Sequence, residues 1–235
     1  MLLKIDDKKL DAVHHIILGG YRLNYDVYLF DFDYTLANSE KGIVKCFKLL
    51  FADEGYPINP DEEIRRTIGM SMIEALRTLT GVQDEKILWE LRYKYTAYAD
   101  KYMTENTSVY PQTRQVLAKI HSNGKKTAIV SNKTRRRIMQ TLTRDGLVQF
   151  VDFVVGSEDV QSFKPSPEGL LAGLKALKID KNTAKILYIG DNVIDAQTAA
   201  NAGVDFAAVL TGNNSAEDFQ ELPHIQIMEN LSQLQ

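Results

Sequence analysis

Residues 27–39 read VYLFDFDYTLANS. The apolar run Val27 to Phe30 has the character of a buried strand, and the chain turns acidic as it ends, at Asp31 and Asp33. Side chains two apart on a strand point the same way, so two carboxylates emerge together where the apolar segment runs out. Like charges that close resist joint ionisation, so a bound cation or a shared proton is the physical expectation. Taken alone, the pair also fits two solvated acids in a loop. A calcium loop is excluded, although Asp31, Asp33 and Thr35 match positions one, three and five of that motif. Its sixth position must be Gly and is Leu36; its twelfth should be Glu and is Gly42.

Beyond this stretch, short apolar segments alternate with amphipathic ones. KTAIVSN (126–132) reads as a strand followed by a helix near 134–145, and FVDFVVGS (150–157) as another strand. Pro167 suits a helix start, where its missing N–H costs little, and that helix runs to about Lys178. KILYIGD (185–191), a helix through Ala202 and VDFAAVL (204–210) complete the series. Strands and helices alternating in this way predict an α/β, Rossmann-like parallel sheet flanked by helices, with right-handed crossovers.

Residues 39–107 break the pattern. Their apolar positions recur at helical spacing, as in Val44, Phe47, Leu50 and Phe51, then Ile87, Leu88, Leu91 and Tyr95. Gly55 to Pro60 and Thr80 to Asp84 separate the helices. The expected organisation is a core domain of residues 1–38 and 108–235 with an all-helical insertion, 39–107, between its first and second strands. Leu10, Val13 and Ile17 suggest a further short helix ended by Gly19-Gly20.

Composition bounds the function. The 235 residues are 44% hydrophobic and 25% charged, as in ordinary globular chains, and the net charge of −3 gives no support for nucleic-acid binding. The one basic cluster, Lys133 to Arg137 (KTRRR), reads as the solvated first turns of a helix. A single cysteine, Cys46, allows no internal disulfide and reads as a buried thiol in a reducing compartment. No apolar run has membrane-spanning length, and the N-terminus does not read as a signal peptide, so a cytoplasmic protein is expected. Gly124-Lys125 is no Walker loop, because Lys119 stands where its first glycine belongs. The four histidines, at 14, 15, 121 and 224, offer little toward a metal site or triad.

Further polar groups fall at the ends of the other expected strands, where open parallel sheets place their ligands. Ser131-Asn132 end AIVSN, Gly190-Asp191 end ILYIGD with Asp195 one helical turn beyond, and Lys164 lies in SFKPSP. Each alone fits a cap, a turn or a surface dipeptide. In conjunction, DxDxT, SN, KP and GDxxxD, each after its own strand, resemble the haloacid dehalogenase superfamily of phosphohydrolases over about residues 26–215. YPQTRQVL, SNKTRR, GSEDVQSFKPSPEGLL and ILYIGDNVIDAQTAANAG resemble its phosphoglycolate phosphatase branch.

The resemblance implies a Mg²⁺-dependent phosphatase for a small phosphorylated metabolite, working as a monomer or homodimer without nucleic acid or membrane. Asp31 would be the nucleophile, forming a phospho-aspartate, and Asp33 the general acid and base. Asp31, the backbone carbonyl of Asp33 and Asp191 would hold Mg²⁺. Ser131 and the Asn132 N–H would bind phosphoryl oxygens, Lys164 would neutralise phosphate and Asp31, and Asp195 would orient Lys164 or the metal shell. Thr35 would be largely structural. The insertion corresponds to a mobile cap, with TIGMSMIEAL (67–76) facing the site and Arg65, Arg66 or Arg77 as candidates for a substrate carboxylate or second phosphate.

Two departures bear on substrate. Tyr34 stands where the family usually has Gly, and would narrow the pocket or pack under the cap. Met72 stands where β-phosphoglucomutases carry Arg, which argues against a mutase. A phosphomutase, an inorganic pyrophosphatase and a catalytically silent binding relative are the alternatives.

Overall fold

The computed structural model describes residues 25–234; the helix expected around Leu10, Val13 and Ile17 lies outside the described residues. Strand β1 (Val27–Phe30) is buried along its whole length, so its four residues do not alternate in polarity. It pairs in parallel with β4 (Lys126–Val130) on one side and β6 (Ile186–Gly190) on the other. The sheet has six strands in the order β5-β4-β1-β6-β7-β8, all parallel, with β5 (Phe153–Val155), β7 (Asp205–Val209) and β8 (Gln226–Met228) completing it.

Both faces are covered, which makes this the expected Rossmann-like α/β core. Tyr28 and Phe30 pack with Leu117, Ile120 and Ile138 on one face, below α5 (Pro111–Ser122) and α6 (Arg135–Arg144). Val27 and Leu29 pack with Leu170, Leu174 and Ala199 on the other, below α7 (Glu168–Ala176) and α8 (Val193–Ala202). Each large apolar side chain so buried contributes about 1.5–3 kcal/mol.

One expected strand is shorter than the sequence suggests, and one strand of the sheet was not expected. The segment 150–157 is extended only over Phe153–Val155. Asp152 instead takes the Thr127 N–H at 2.9 Å and the Lys126 ammonium at 2.8 Å, which ends pairing early at this sheet edge. Strand β8, three residues long, carries too short a pattern to stand out in the sequence.

Between β1 and α5 the chain leaves through β2 (Ala37–Asn38) and returns through β3 (Ser108–Val109), an antiparallel two-stranded ribbon. The excursion holds α1 (Glu40–Glu54), α2 (Asp61–Arg66), α3 (Met72–Thr80) and α4 (Glu85–Tyr102). Their ends follow from local chemistry. Ser71 and Glu74 form a capping box at α3, and the Asp84 carboxylate accepts from the N–H groups of Lys86 and Ile87. Gly55 and Gly81, at φ +72° and +74°, close α1 and α3. These helices surround an apolar cluster of their own, including Phe47, Leu50, Phe51, Leu76, Leu91 and Tyr95. No helix among the described residues is long and apolar enough to cross a membrane.

Tyr34 joins that cluster from the β1 side. Its backbone sits at φ +60°, the left-handed region that favours glycine, which explains the strain a non-glycine residue carries here. Its ring is 4% exposed, and its hydroxyl donates to Glu40 Oε2 at 2.9 Å. It therefore packs under the insertion and does not line the pocket described below. Removing such a ring costs about 3–5 kcal/mol, against about 1–2 kcal/mol of backbone strain relieved. Tyr34→Gly is thus expected to lower unfolding stability by roughly 2 kcal/mol in a urea titration; an unchanged or raised midpoint would contradict this packing role.

Candidate active site

Three adjacent parallel strands, β4, β1 and β6, end side by side, and the residue after each is polar: Ser131, Asp31 and Asp191. The ladder runs one step past the strands, with Asp31 N–H on the Ile189 carbonyl at 2.9 Å and Ser131 N–H on the Val155 carbonyl at 3.1 Å. This fixes the backbones of the site residues before any side-chain contact is considered.

Lys164 binds the group together. Its ammonium donates to Asp31 Oδ1 at 2.6 Å, to Asp195 Oδ1 at 2.6 Å and to the Tyr188 hydroxyl at 3.1 Å. Tyr188 in turn donates to Asp195 Oδ1 at 2.9 Å. Asp195 is held by the start of α8, where its Oδ2 accepts the Asn192 N–H at 3.1 Å. Asp191 accepts the Thr35 hydroxyl at 3.1 Å. Lys164, Asp31, Asp191 and Asp195 are all at most 9% exposed.

The charges in this cluster do not balance. Asp31, Asp191 and Asp195 have oxygens within 4.8 Å of one another, and Lys164 is the cation that touches them. Burial pushes the Asp31 carboxyl up to about 6; Lys164 opposes this and Asp195 adds to it. Burial, then the charges of Asp195 and Asp31, hold Asp191 well above the usual carboxylate range. Burial pulls the Lys164 ammonium down, but Asp195 and Asp31 outweigh it and raise it. An all-oxygen donor set with excess buried negative charge fits a hard divalent cation such as Mg²⁺.

Asp33 faces elsewhere. Its carboxylate is held by Lys133 Nζ at 3.0 and 3.1 Å, and its side chain is not in the carboxylate cluster. Ser131 Oγ accepts the Lys133 N–H at 3.3 Å. The Asn132 side chain spans two segments, accepting the Lys164 N–H at 3.3 Å and donating to the Gly69 carbonyl at 2.9 Å in the loop before α3. All eight residues singled out from the sequence thus gather at one end of the sheet.

Above them lies a cavity of about 110 Å³ between the strand ends and the helical insertion. Asp31, Asp33, Ser131, Lys133 and Lys164 form one wall; Phe47, Met70, Met72 and Tyr95 form much of the other. Gly212 packs against Asp191, because a Cβ there would stand 1.9 Å from Asp191 Oδ2.

The basic run 133–137 is corrected by this geometry. Lys133 and Arg137 are four residues apart and turn inward, with side chains 7% and 8% exposed, while Arg135 and Arg136 stay exposed. Lys133 lies just before α6 and Arg137 within its first turn, so no helical periodicity linked the two in the sequence. Tyr188 was also missed; a lone tyrosine within ILYIGD gives no sign of its partners. Arg65, Arg66 and Arg77 do not line the cavity and pair instead with Glu40 and Glu62, with Glu62, and with Glu85. Arg92 and Arg137 line it.

Comparison with known proteins agrees with this architecture. The family model for haloacid dehalogenase-like hydrolases matches residues 28–209. A phosphoglycolate phosphatase of Cereibacter sphaeroides is 30% identical over 203 residues, covering 83% of this chain and 89% of its own. A pyrophosphatase PpaX of Listeria monocytogenes serotype 4b is 29% identical over 211 residues, covering 88% and 93%. Among solved structures, a Bacteroides fragilis protein described as haloacid dehalogenase-like superimposes with a TM-score of 0.86 at 42% identity, covering 90% of this chain and all of that one.

The raised carboxyls have a consequence for pH. The unfolded chain releases the Asp31 proton near 3.8, the folded chain near 6, so this group destabilises the metal-free fold as pH rises through that window. A divalent cation must displace the same proton, so its stabilisation grows in the same direction. The rise in melting temperature caused by Mg²⁺ is expected to be small at about pH 5 and larger at about pH 7.5. Equal increments at both would contradict the carboxylate site.

Proposed function

Since this chain belongs to the haloacid dehalogenase-like hydrolases, we propose that it is a Mg²⁺-dependent phosphatase acting on a small phosphorylated metabolite through a phospho-aspartate on Asp31. The observation that carries the reading is Asp31 at the centre of the strand ends, 2.6 Å from a buried ammonium and beside two further buried acids. A phosphate monoester repels nucleophiles by its own charge, so the site must supply positioning and positive charge more than covalent chemistry.

In this mechanism Asp31 attacks phosphorus with one carboxylate oxygen as the bond from phosphorus to the ester oxygen breaks. Asp33, protonated from solvent, passes its proton to the departing alkoxide. As a carboxylate it then takes a proton from the water that attacks the phospho-aspartate, which frees inorganic phosphate and restores Asp31. Lys164 offsets charge on phosphate and on Asp31, while Tyr188 and Asp195 hold it in place. Ser131 and the Asn132 N–H receive phosphoryl oxygens. A phosphate arriving here competes with Asp33 for the Lys133 ammonium, releasing Asp33 for its proton transfers. Asp31, the Asp33 carbonyl and Asp191 would hold Mg²⁺, which when bound neutralises charge on the transferring phosphoryl group.

Residues 39–107 form a cap domain in this reading, and residues up to 38 and from 108 onward the catalytic core. The hydrogen bonds from Asn132 to Gly69 and from Arg137 to Thr96 tie the two together around the cavity, which supports water exclusion during attack. The enzyme works in the cytoplasm as a monomer or homodimer. Phosphoglycolate is the first substrate to test, and the pyrophosphatase relative makes pyrophosphate the second.

The test is phosphate release from a panel of phosphorylated metabolites and an aryl phosphate, with and without Mg²⁺. Asp31→Asn is expected to keep its cooperative melt and lose at least about 10³-fold in turnover, beyond the roughly 10²–10³ typical of a lost electrostatic stabiliser. A folded Asp31→Asn enzyme with near-normal turnover would refute the mechanism.

A further inference from the structure

One polar group in the cavity wall is buried without a hydrogen-bond partner among the described residues, and a hydroxyl in the same wall also lacks one. Arg137, 7% exposed, donates through Nη2 to the Thr96 carbonyl at 3.2 Å and to Asp100 Oδ1 at 2.9 Å, and through Nη1 to Thr134 Oγ1 at 3.5 Å. Its Nε is buried and has no hydrogen-bond partner among the described residues. Tyr95 precedes Thr96 on α4, is 2% exposed, and its hydroxyl has no hydrogen-bond partner among the described residues. Both residues line the cavity above Asp31. Buried donors are nearly always satisfied, so the orphaned Arg137 Nε–H, with the unbonded Tyr95 hydroxyl in the same wall, asks for an acceptor from outside the chain.

The charge around them says which kind. Asp100 is the carboxylate paired with Arg137, but it is shared with Arg136 and its own side chain is 41% exposed. One solvated carboxylate against two guanidinium groups leaves positive charge on the cavity side. The neighbouring walls, Ile43, Phe47 and Met103, bring no acceptor to compete. The volume of about 110 Å³ admits only a short spacer between this point and a phosphate at Asp31.

We propose that Arg137 Nε–H and the Tyr95 hydroxyl form a second anion subsite, which selects phosphate esters bearing a carboxylate or second phosphate a few bonds from the first. The subsite deepens the phosphatase reading of the same pocket and rests on it for its phosphate position. It is supplied jointly by a helix of the sheet and a helix of the insertion, so the second anion is read only where the two meet.

Binding of non-hydrolysable analogues tests this without turnover. In calorimetry with Mg²⁺ present, 3-phosphonopropionate carries the second anion and propylphosphonate is its match without one. The wild type is expected to bind the first about 10- to 100-fold tighter, the range for a hydrogen bond to a charged group. Tyr95→Phe, which keeps the ring, and Arg137→Lys, which keeps the charge, are each expected to lose about tenfold of that preference. Tyr95→Phe should do so without a lower melting temperature, which a merely structural hydroxyl would not allow. Methylenediphosphonate distinguishes a second phosphate from a carboxylate, the analogue with the Tyr95- and Arg137-dependent gain naming the anion. No gain for either analogue in the wild type, or an undiminished gain in both folded variants, overturns the subsite. An enzyme that releases no phosphate yet shows the gain would refute the phosphatase reading alone.

Discussion

Among the described residues Lys164 is the one cation in contact with a buried cluster of three carboxylates, and much of the structure around the site serves that imbalance. Leaving an ion buried and unpaired costs several kcal/mol, and removing one partner of such a pair typically costs about 3–5 kcal/mol. The arrangement survives because every other bond is in place. Asp195 is fixed by the helix start at Asn192, Tyr188 bridges lysine and acid, and Thr35 satisfies one oxygen of Asp191. What remains is excess negative charge, which a divalent cation could absorb under the proposed mechanism.

The sheet makes this cluster possible by geometry. Parallel strands in the order β4-β1-β6 deliver three consecutive C-terminal ends to one place, and the apolar faces above and below hold them there. The helical insertion has its own apolar cluster, joined to the β1 end through Tyr34, and contributes the apolar wall of the cavity. Arg137 and Asn132 reach from the sheet side to backbone carbonyls of the insertion, at Thr96 and Gly69. In the proposed mechanism chemistry and selectivity are thereby divided, the strand ends receiving phosphate and the junction with the insertion the rest of the substrate.

The parts legible in the sequence were those with a periodic or positional signal. VYLF, KTAIV and ILYIG are apolar runs of strand length ending in polar residues, so the sheet and its polar end followed directly. The helices of the insertion announced themselves by spacing and by glycine stops. Lys133 and Arg137 were misread because charge density alone suggests solvent, whereas their burial depends on Asp33 and Asp100, far away in the chain. Tyr188 and the edge strand β8 were missed for a related reason: their roles are set by tertiary neighbours and not by local pattern.

The central claim is that Asp31 is the group that bonds to phosphorus, in a site completed by Mg²⁺. Beryllium trifluoride mimics a phosphoryl group on a carboxylate, so fluorine NMR of the protein with Mg²⁺ and beryllofluoride reads that claim without any substrate. Bound fluorine resonances are expected in the wild type that require Mg²⁺ and vanish in Asp31→Asn. Bound resonances that persist in the folded Asp31→Asn protein, or form equally well without Mg²⁺, would contradict it.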